Sequence, residues 1–435
     1  MKPVTRRELL GLAAPAAAST ILNNAWRVIG QEAVSDLGVA SQAAVGSCIF
    51  VVIANYAIYA TVFAGTGPLV ARAAGAGDEA LTRRVIGNSL GASAALALLS
   101  GAALALFAPA FASLLGLEGA AAAEAVTYLR GVAAVSVPLA IEPALDAAFI
   151  AMGRTGLAMA CQAVAVLVNV GLNDPFIHGL GMGVGGAPAA TGVARVAAVI
   201  LGLIAMRRLT GLRLSDLALD GTIRRIARVG LPICLNTLAY SLVYWALLRW
   251  AVSPLGPEVN AALGVGFSAL KGFTWPLFFG ISLGLSSAVG RRLGAGEPDQ
   301  AERAVRLALP MSLVAGGLSA MAFWFLAEPL CGYFTDDPAV LEQAVLYAHI
   351  LGFSQVFVAL EALAEGALEG AGDTRTVFWW SAPINAARVP LGWLLAIPLG
   401  YGAAGIWWAI NLTTFAKVLG KGGAVLRGGW VRTII

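Results

Sequence analysis

The sequence predicts an all-α integral membrane protein: twelve transmembrane helices in two six-helix lobes, related by a pseudo-two-fold axis along the membrane normal. Three observations carry this expectation. Of 435 residues, 59% are hydrophobic and 12% are charged, against about 25% charged in an ordinary soluble domain. The apolar residues form helix-length runs broken by short polar turns. The two halves repeat each other at a nearly constant offset of about 219 residues. A soluble enzyme of this size needs far more polar surface. Disorder needs low hydrophobicity and high net charge. Both classes are therefore excluded.

The first span runs over about 9–36, and the rest of the first half over about 43–68, 86–111, 124–150, 157–177 and 184–206, each close to the 20 or so residues a bilayer needs. A polar stretch, 207–225, separates the halves. Six further spans follow at about 226–252, 260–285, 304–326, 341–368, 376–398 and 403–425. The expected lobes are 1–212 (helices 1–6) and 213–435 (helices 7–12). No alternating strand pattern appears, which argues against a barrel. Arg6-Arg7 before an Ala-rich run imitates a twin-arginine signal. The same approach recurs mid-chain as Arg224-Arg225 leading to Gly230-Leu231-Pro232, so the segment reads as the first helix of a repeat.

Charge sets the expected orientation. Of the 28 Lys and Arg, 22 fall in the termini, the even-numbered loops or the span ends that adjoin them, and six elsewhere within spans; the odd-numbered loops carry none. The positive-inside rule then places both termini in the cytoplasm. Cys48, Cys161, Cys234 and Cys331 form no CxxC pair and read as buried small apolar residues. Two histidines, His178 and His349, are too few for a His-based metal centre.

The repeat is visible residue by residue. Val70-Ala71-Arg72-Ala73-Ala74-Gly75-Ala76-Gly77 matches Val289-Gly290-Arg291-Arg292-Leu293-Gly294-Ala295-Gly296. Glu142, Gly153 and Thr155 match Glu361, Gly372 and Thr374. Gly181 to Gly186 matches Gly400 to Gly405. Both of these last segments fit the dinucleotide pattern G-x-G-x-x-G, but neither follows a strand, so each reads as a tight hairpin. No phosphate loop is present, so active transport would draw on an ion gradient.

Several segments resemble the multidrug and toxic compound extrusion (MATE) transporters, within a superfamily that also holds lipid flippases. They are Gly75-Ala76-Gly77-Asp78 with Arg83-Arg84, its copy Gly294 to Asp299, and Glu361 through Leu368-Glu369-Gly370-Ala371-Gly372-Asp373-Thr374-Arg375. Asn169 through Phe176-Ile177-His178-Gly179, Gly183 to Ala187, and Asp36-Leu37-Gly38 with Ala44-Val45-Gly46 are similar too. The resemblance covers nearly the whole chain. It implies an H⁺- or Na⁺-coupled antiporter that expels organic, often cationic compounds, with no cofactor and no enzymatic step. The chain departs from the family pattern where a helix-1 acid is Gly30 here, where a helix-5 acid is Asn173, and where Leu-Arg-Gly is Leu368-Glu369-Gly370.

An ionised side chain at mid-membrane costs at least about 2.5–3.5 kcal/mol, so each should be paired or face a wet cavity. The ion-coupling candidates are Glu32, Glu142, Glu361, Asn169 and Asp174, with Na⁺ as the one metal they could hold. Burial disfavours a charged carboxylate, which suits proton exchange near neutral pH. The rival reading is static pairing: Glu142 with Arg195, Glu361 with Arg388, and Glu32 with Arg27. Asp146, Glu365 and Glu369 are expected to be solvated at the inner interface. The substrate-cavity candidates are Asn23, Asn24, Arg27, Arg195, Tyr240, Tyr244, Lys271 and Arg388. Phe273, Trp275, Phe353 and Phe357 could line the same cavity or simply pack. Arg249 is expected to snorkel. Pro15 and Pro232 hold matching places as hinge or static kink. Asn411-Leu412-Thr413 is a glycosylation pattern inside a span and is discounted.

The expected function is secondary antiport by alternating access, exporting an organic cationic or amphipathic solute from a bacterial inner membrane, as a monomer without nucleic-acid partners. The alternative is a flippase or exporter of an anionic lipid-linked or polar metabolite, suggested by Arg195, Lys271 and Arg388. A scaffold or receptor would need a soluble domain or long tail, which the sequence does not encode.

Overall fold

The computed structural model describes residues 3–32 and 37–435, without the side chains of 25–32, 39, 40, 43 and 50. Among the described residues all regular structure is helical. In chain order the helices are α1 (Arg6–Glu32), α2 (Val39–Gly75), α3 (Glu79–Leu114), α4 (Gly119–Ala134), α5 (Ser136–Ala151), α6 (Thr155–Asp174), α7 (Gly186–Thr210), α8 (Thr222–Leu247), α9 (Pro257–Gly266), α10 (Gly272–Gly294), α11 (Pro298–Phe325), α12 (Ala327–Gly332), α13 (Pro338–Gly352), α14 (Gln355–Ala371), α15 (Thr374–Ala396) and α16 (Gly402–Leu426).

Among the described residues, seven stretches are long and apolar enough to cross a membrane, and two bent pairs, α4 with α5 and α13 with α14, bring the number to nine. The other three expected spans are α1, α15 and α16, helices of 27, 23 and 25 residues. The interiors of α15 and α16 carry polar groups, among them Arg388, Lys417 and Lys421.

The chain forms two compact units: Ser19–Cys234, and Met1–Ala18 together with Leu235–Ile435. The division falls inside α1 and α8. Each of these helices contains a proline, Pro15 or Pro232, just before the changeover. The packing gives the physical reason. In the C-terminal unit, a Cβ on Gly284 would lie 2.8 Å from the Ala13 nitrogen, and one on Gly280 would collide with Ala17. The start of α1 thus beds on α10 through small residues that let backbones approach closely. In the N-terminal unit, Gly65 and Gly230 play the same part, so the start of α8 beds on α2.

The sequence repeat returns as backbone geometry. Gly77 and Gly296 both have φ of 72°, and Gly183 and Gly402 both have φ of 55°, a left-handed conformation that glycine adopts without strain. The Gly183 and Gly402 segments are hairpin turns between helices, as expected for the discarded nucleotide motif. The two bent pairs also correspond: α4 and α5 turn by 51° at Val135, and α13 and α14 by 57° at Phe353–Ser354. At the second break the Ser354 amide donates to the Leu351 carbonyl at 3.0 Å, leaving Ile350 without its usual helical donor. Asn411 Nδ2 of α16 donates to that carbonyl at 2.6 Å. Asn411 is fully buried, so the apparent glycosylation motif is a helix-to-helix strut. Asn411→Leu strands a buried carbonyl, and we expect it to cost about 1–3 kcal/mol. Thermal unfolding in detergent checks this; an unchanged midpoint would contradict the strut.

The polar stretch between the halves is seated on α3: Arg83 pairs with Asp216 at 3.6 Å, and the Asp220 amide donates to Asn88 Oδ1 at 2.9 Å. Hydrogen bonds from the Thr222 side chain and backbone hold the exposed Asp220 carboxyl below the usual carboxylate range. This small contribution is present above the ordinary carboxylate range and is lost as pH falls through the lowered value.

Candidate functional site: two buried charge clusters

The break at Val135 sets up the first cluster. Glu142 lies seven residues beyond it in α5, with Asp146 one turn further on the same face. Gly192 lets α7 approach the break, because any Cβ there would collide with Val135. Arg195 follows three residues later in α7 and meets Glu142 in an ion pair. Both are deep in the unit, 4% and 5% exposed. Arg195 also donates to Gln162 Oε1 of α6 at 3.1 Å and to Asn23 Oδ1 of α1 at 3.3 Å. The Glu142–Arg195 pairing weighed from the sequence is therefore present.

The cluster is not internally saturated. Glu142 Oε1, Asp146 Oδ1 and Gln162 Nε2 are buried with no hydrogen-bond partner among the described residues. Asp146 lies close enough to feel the charges of both Glu142 and Arg195. Two acids thus lie near one guanidinium, and half-buried Asp146, expected at the solvated inner interface, has its Oδ1 buried inside the unit.

Other N-terminal candidates lie elsewhere. Asn169 donates to Thr191 Oγ1 at 3.2 Å and accepts from Asn173 Nδ2 at 3.2 Å, tying α6 to α7. Asp174 ends α6 with an exposed side chain, 3.0 Å from His178 Nδ1, and takes no part in the buried cluster. Asn24 is half-buried. The side chains of Glu32 and Arg27, and their expected pairing, lie outside the described residues.

The second cluster repeats the first with different partners. Glu361 lies seven residues beyond Ser354, and Glu365 one turn further. Glu361 does not pair with Arg388, contrary to the sequence expectation. It accepts from Lys417 and Lys421 of α16, each at 2.8 Å. Lys421 also pairs with Glu365, so that residue too is paired instead of solvated. Glu369 lies beside Glu365 and Lys421. The physical reason is reach: α16 lays two lysines, one turn apart, along the two glutamates of α14. Lys417 and Lys421 were not among the residues singled out from the sequence. Their matching four-residue spacing was the signal that could have found them.

Arg388, 2% exposed, turns instead to neutral groups. Its Nε donates to Thr413 Oγ1 at 3.0 Å and its Nη1 to Tyr244 OH at 3.3 Å, with the guanidinium 5.6 Å from the Tyr244 ring centre. Tyr240 packs on Tyr244 at 4.6 Å between ring centres. Lys271 is half-buried, 5.5 Å from the Phe267 ring centre. Phe353 and Phe357 pack against Trp408 and Phe415, and Trp275 against Phe279; Phe353, Phe357, Trp275 and Phe273 all keep exposed faces. Arg249 is exposed, as snorkelling requires. All four cysteines are free and buried. No three His, Cys, Asp or Glu among the described residues gather into a metal-ligand group.

The chain has known counterparts. It is 27% identical over 428 residues to the probable multidrug resistance protein NorM of Thermotoga maritima, covering 93% of this chain and 89% of that protein. It is 29% identical over 295 residues to the multidrug resistance protein MdtK of Pectobacterium atrosepticum, covering 62% of each. A crystal structure of MATE in the bent conformation superposes with a TM-score of 0.90 at 21% identity, covering 98% of this chain and 96% of that one. A MOP superfamily transporter from Pyrococcus furiosus, described as having a binding pocket of reverse polarity, superposes at 0.87 and 21% identity over 99% and 97%. These solved structures share the fold. The family model MatE matches residues 15–173 and 232–394, both halves of the repeat, and the chain therefore belongs to the MatE family.

Proposed function

We propose that this protein is a secondary antiporter of a bacterial inner membrane, exporting an organic amphipathic solute by alternating access at the expense of an H⁺ or Na⁺ gradient. Members of its family are transporters and not enzymes, and no cofactor is required. All twelve helical segments cross the bilayer in this reading, with both termini cytoplasmic and the monomer as the working unit. The relatives named multidrug resistance proteins support the substrate class.

The single observation that carries the coupling is the N-terminal cluster. With both acids ionised, Glu142 and Asp146 exceed Arg195 by one negative charge, and each keeps a buried oxygen without a partner. Such an excess inside a bilayer is costly. A proton or a Na⁺ ion relieves it, and Gln162 and Asn23 add amide groups beside the same guanidinium. A state that opens the cluster to water would bind the ion differently from one that closes it, and this differential affinity is what shifts a transporter between states. Asn169 and Asp174 have supporting roles at most: the first links helices, the second sits at an exposed helix end.

Reconstitution into vesicles tests the reading. An imposed inward H⁺ or Na⁺ gradient is expected to drive a fluorescent amphipathic cation out of loaded vesicles against its own gradient. Equal, purely downhill movement with and without both gradients would sink it.

A further inference from the structure

We infer that the C-terminal unit contains an anion-recognition site, formed by Arg388, Lys271 and Tyr244, that takes the carboxylate or phosphate group of an amphipathic solute. The inference deepens the exporter reading and rests on it.

Charge balance comes first. Glu361 and Glu365 are already engaged by Lys417 and Lys421. Glu369, the next acid, stands beside that same group. Arg388 and Lys271 then remain with no carboxylate partner among the described residues: Arg388 is held by two hydroxyls, and Lys271 rests on a phenyl ring. Both charges, and that of Lys417, act on the Tyr244 hydroxyl. A buried guanidinium surrounded by neutral groups and further cations lacks the counter-charge that normally offsets its desolvation.

The repeat supplies the second argument. At the 219-residue offset, Glu361 and Glu365 correspond to Glu142 and Asp146, so both units keep the acid pair. The cations have no such counterparts. Arg388 corresponds to Asn169, Lys271 to Val52, Lys417 to Ala198 and Lys421 to Gly202. The N-terminal unit builds the corresponding helices with uncharged residues at those places. The fold therefore does not call for the basic groups. Two of them neutralise acids, and the other two are surplus to that task.

The third argument is access and chemistry. Tyr240 is 36% exposed and packs at a tilt on the half-buried Tyr244, which in turn contacts buried Arg388, so a line of polar aromatic groups runs from the open surface to the guanidinium. A planar guanidinium with hydroxyl neighbours suits a carboxylate or phosphate, and aromatic faces beside it suit a flat or cationic remainder. The favoured ligand is thus a zwitterion or an organic anion carrying an aromatic body. An anionic lipid headgroup offers the same oxyanion chemistry.

The test uses the full chain in phosphatidylcholine vesicles under imposed H⁺ and Na⁺ gradients. Rhodamine 110 carries a free carboxylate; rhodamine 123 is its methyl ester with the same xanthene ring. A fluorescent phosphatidylglycerol forms the lipid arm. The unaltered protein is expected to carry rhodamine 110 with a KM lower than that for rhodamine 123 by about tenfold or more, the weight of one charge-assisted contact. Arg388→Gln should bring the ratio of the two KM values to about one, Arg388→Lys should restore part of it, and Lys271→Gln should lower it about threefold, each read as selectivity and so independent of expression level. Carriage of both dyes with no preference, or an unchanged ratio in Arg388→Gln and Lys271→Gln, overturns the anion site and leaves the exporter reading standing. Arg388-dependent movement of the lipid alone sustains the site and overturns the exporter. If nothing moves, both fall.

Discussion

Glu142→Gln is expected to reduce gradient-driven export by at least about tenfold while the protein remains folded. Gln keeps the size and hydrogen-bonding capacity of Glu142, and Asp146 remains close to balance Arg195. The excess carboxylate that would take up the coupling ion is gone. Moving a two-state transporter from 1:99 to 99:1 needs about a 10⁴-fold difference in ion affinity between the states. An amide that cannot ionise supplies none of it. Glu142→Gln should therefore also flatten the dependence of transport on the imposed pH or Na⁺ difference. If the rate and its gradient dependence are unchanged, Glu142 is only a structural partner of Arg195. Arg195→Met gives the complementary result: it leaves two buried acids uncompensated and should destabilise the protein by about 3–5 kcal/mol, largely recovered in the double variant with Glu142→Gln.

The second large effect is expected from Gly366→Val. Gly366 and Gly370 of α14 lie against the backbone of α10, where an added Cβ would sit 2.5 Å from the Ser282 and Ser286 carbonyl oxygens, closer than real contacts allow. The opposing atoms are main chain and cannot rotate away. α10 also receives the start of α1 through Gly280 and Gly284, so it is held on two sides and has little room to shift. We expect a loss of more than about 4 kcal/mol, read as failure to recover monodisperse protein after detergent extraction. Gly317→Val is the control: Gly317 is also helical, with nothing within 4 Å of an added Cβ. Normal recovery of both variants would mean that the α10–α14 crossing is looser than described.

Much of this was readable in the sequence because lipid imposes simple rules. Apolar runs must become helices, since only helices satisfy their own backbone in hydrocarbon. A repeat at constant offset fixes which helices correspond, and the equivalent bends and matching glycine conformations bear it out. The pairing of Glu142 with Arg195 was legible because few charges compete in the first half. The second half was harder. The sequence pointed to Arg388 as the partner of Glu361, and spacing alone could not show that α16, with Lys417 and Lys421, faces α14. The close crossing of α1 with α10 was not legible for a different reason. Ala13, Ala17, Gly280 and Gly284 are ordinary small residues, and their significance lies in how closely they let helices cross.

The shared ownership of α1 bears on how the chain is made. The start of α1 leaves the ribosome well before its bed on α10, which is synthesised roughly 260 residues later, on the order of tens of seconds at cellular elongation rates. Throughout that interval the opening helix is anchored at one end and waiting at the other. Its final docking is thus a late assembly event, and nascent chains interrupted before Gly284 should be the natural quarry of membrane quality control.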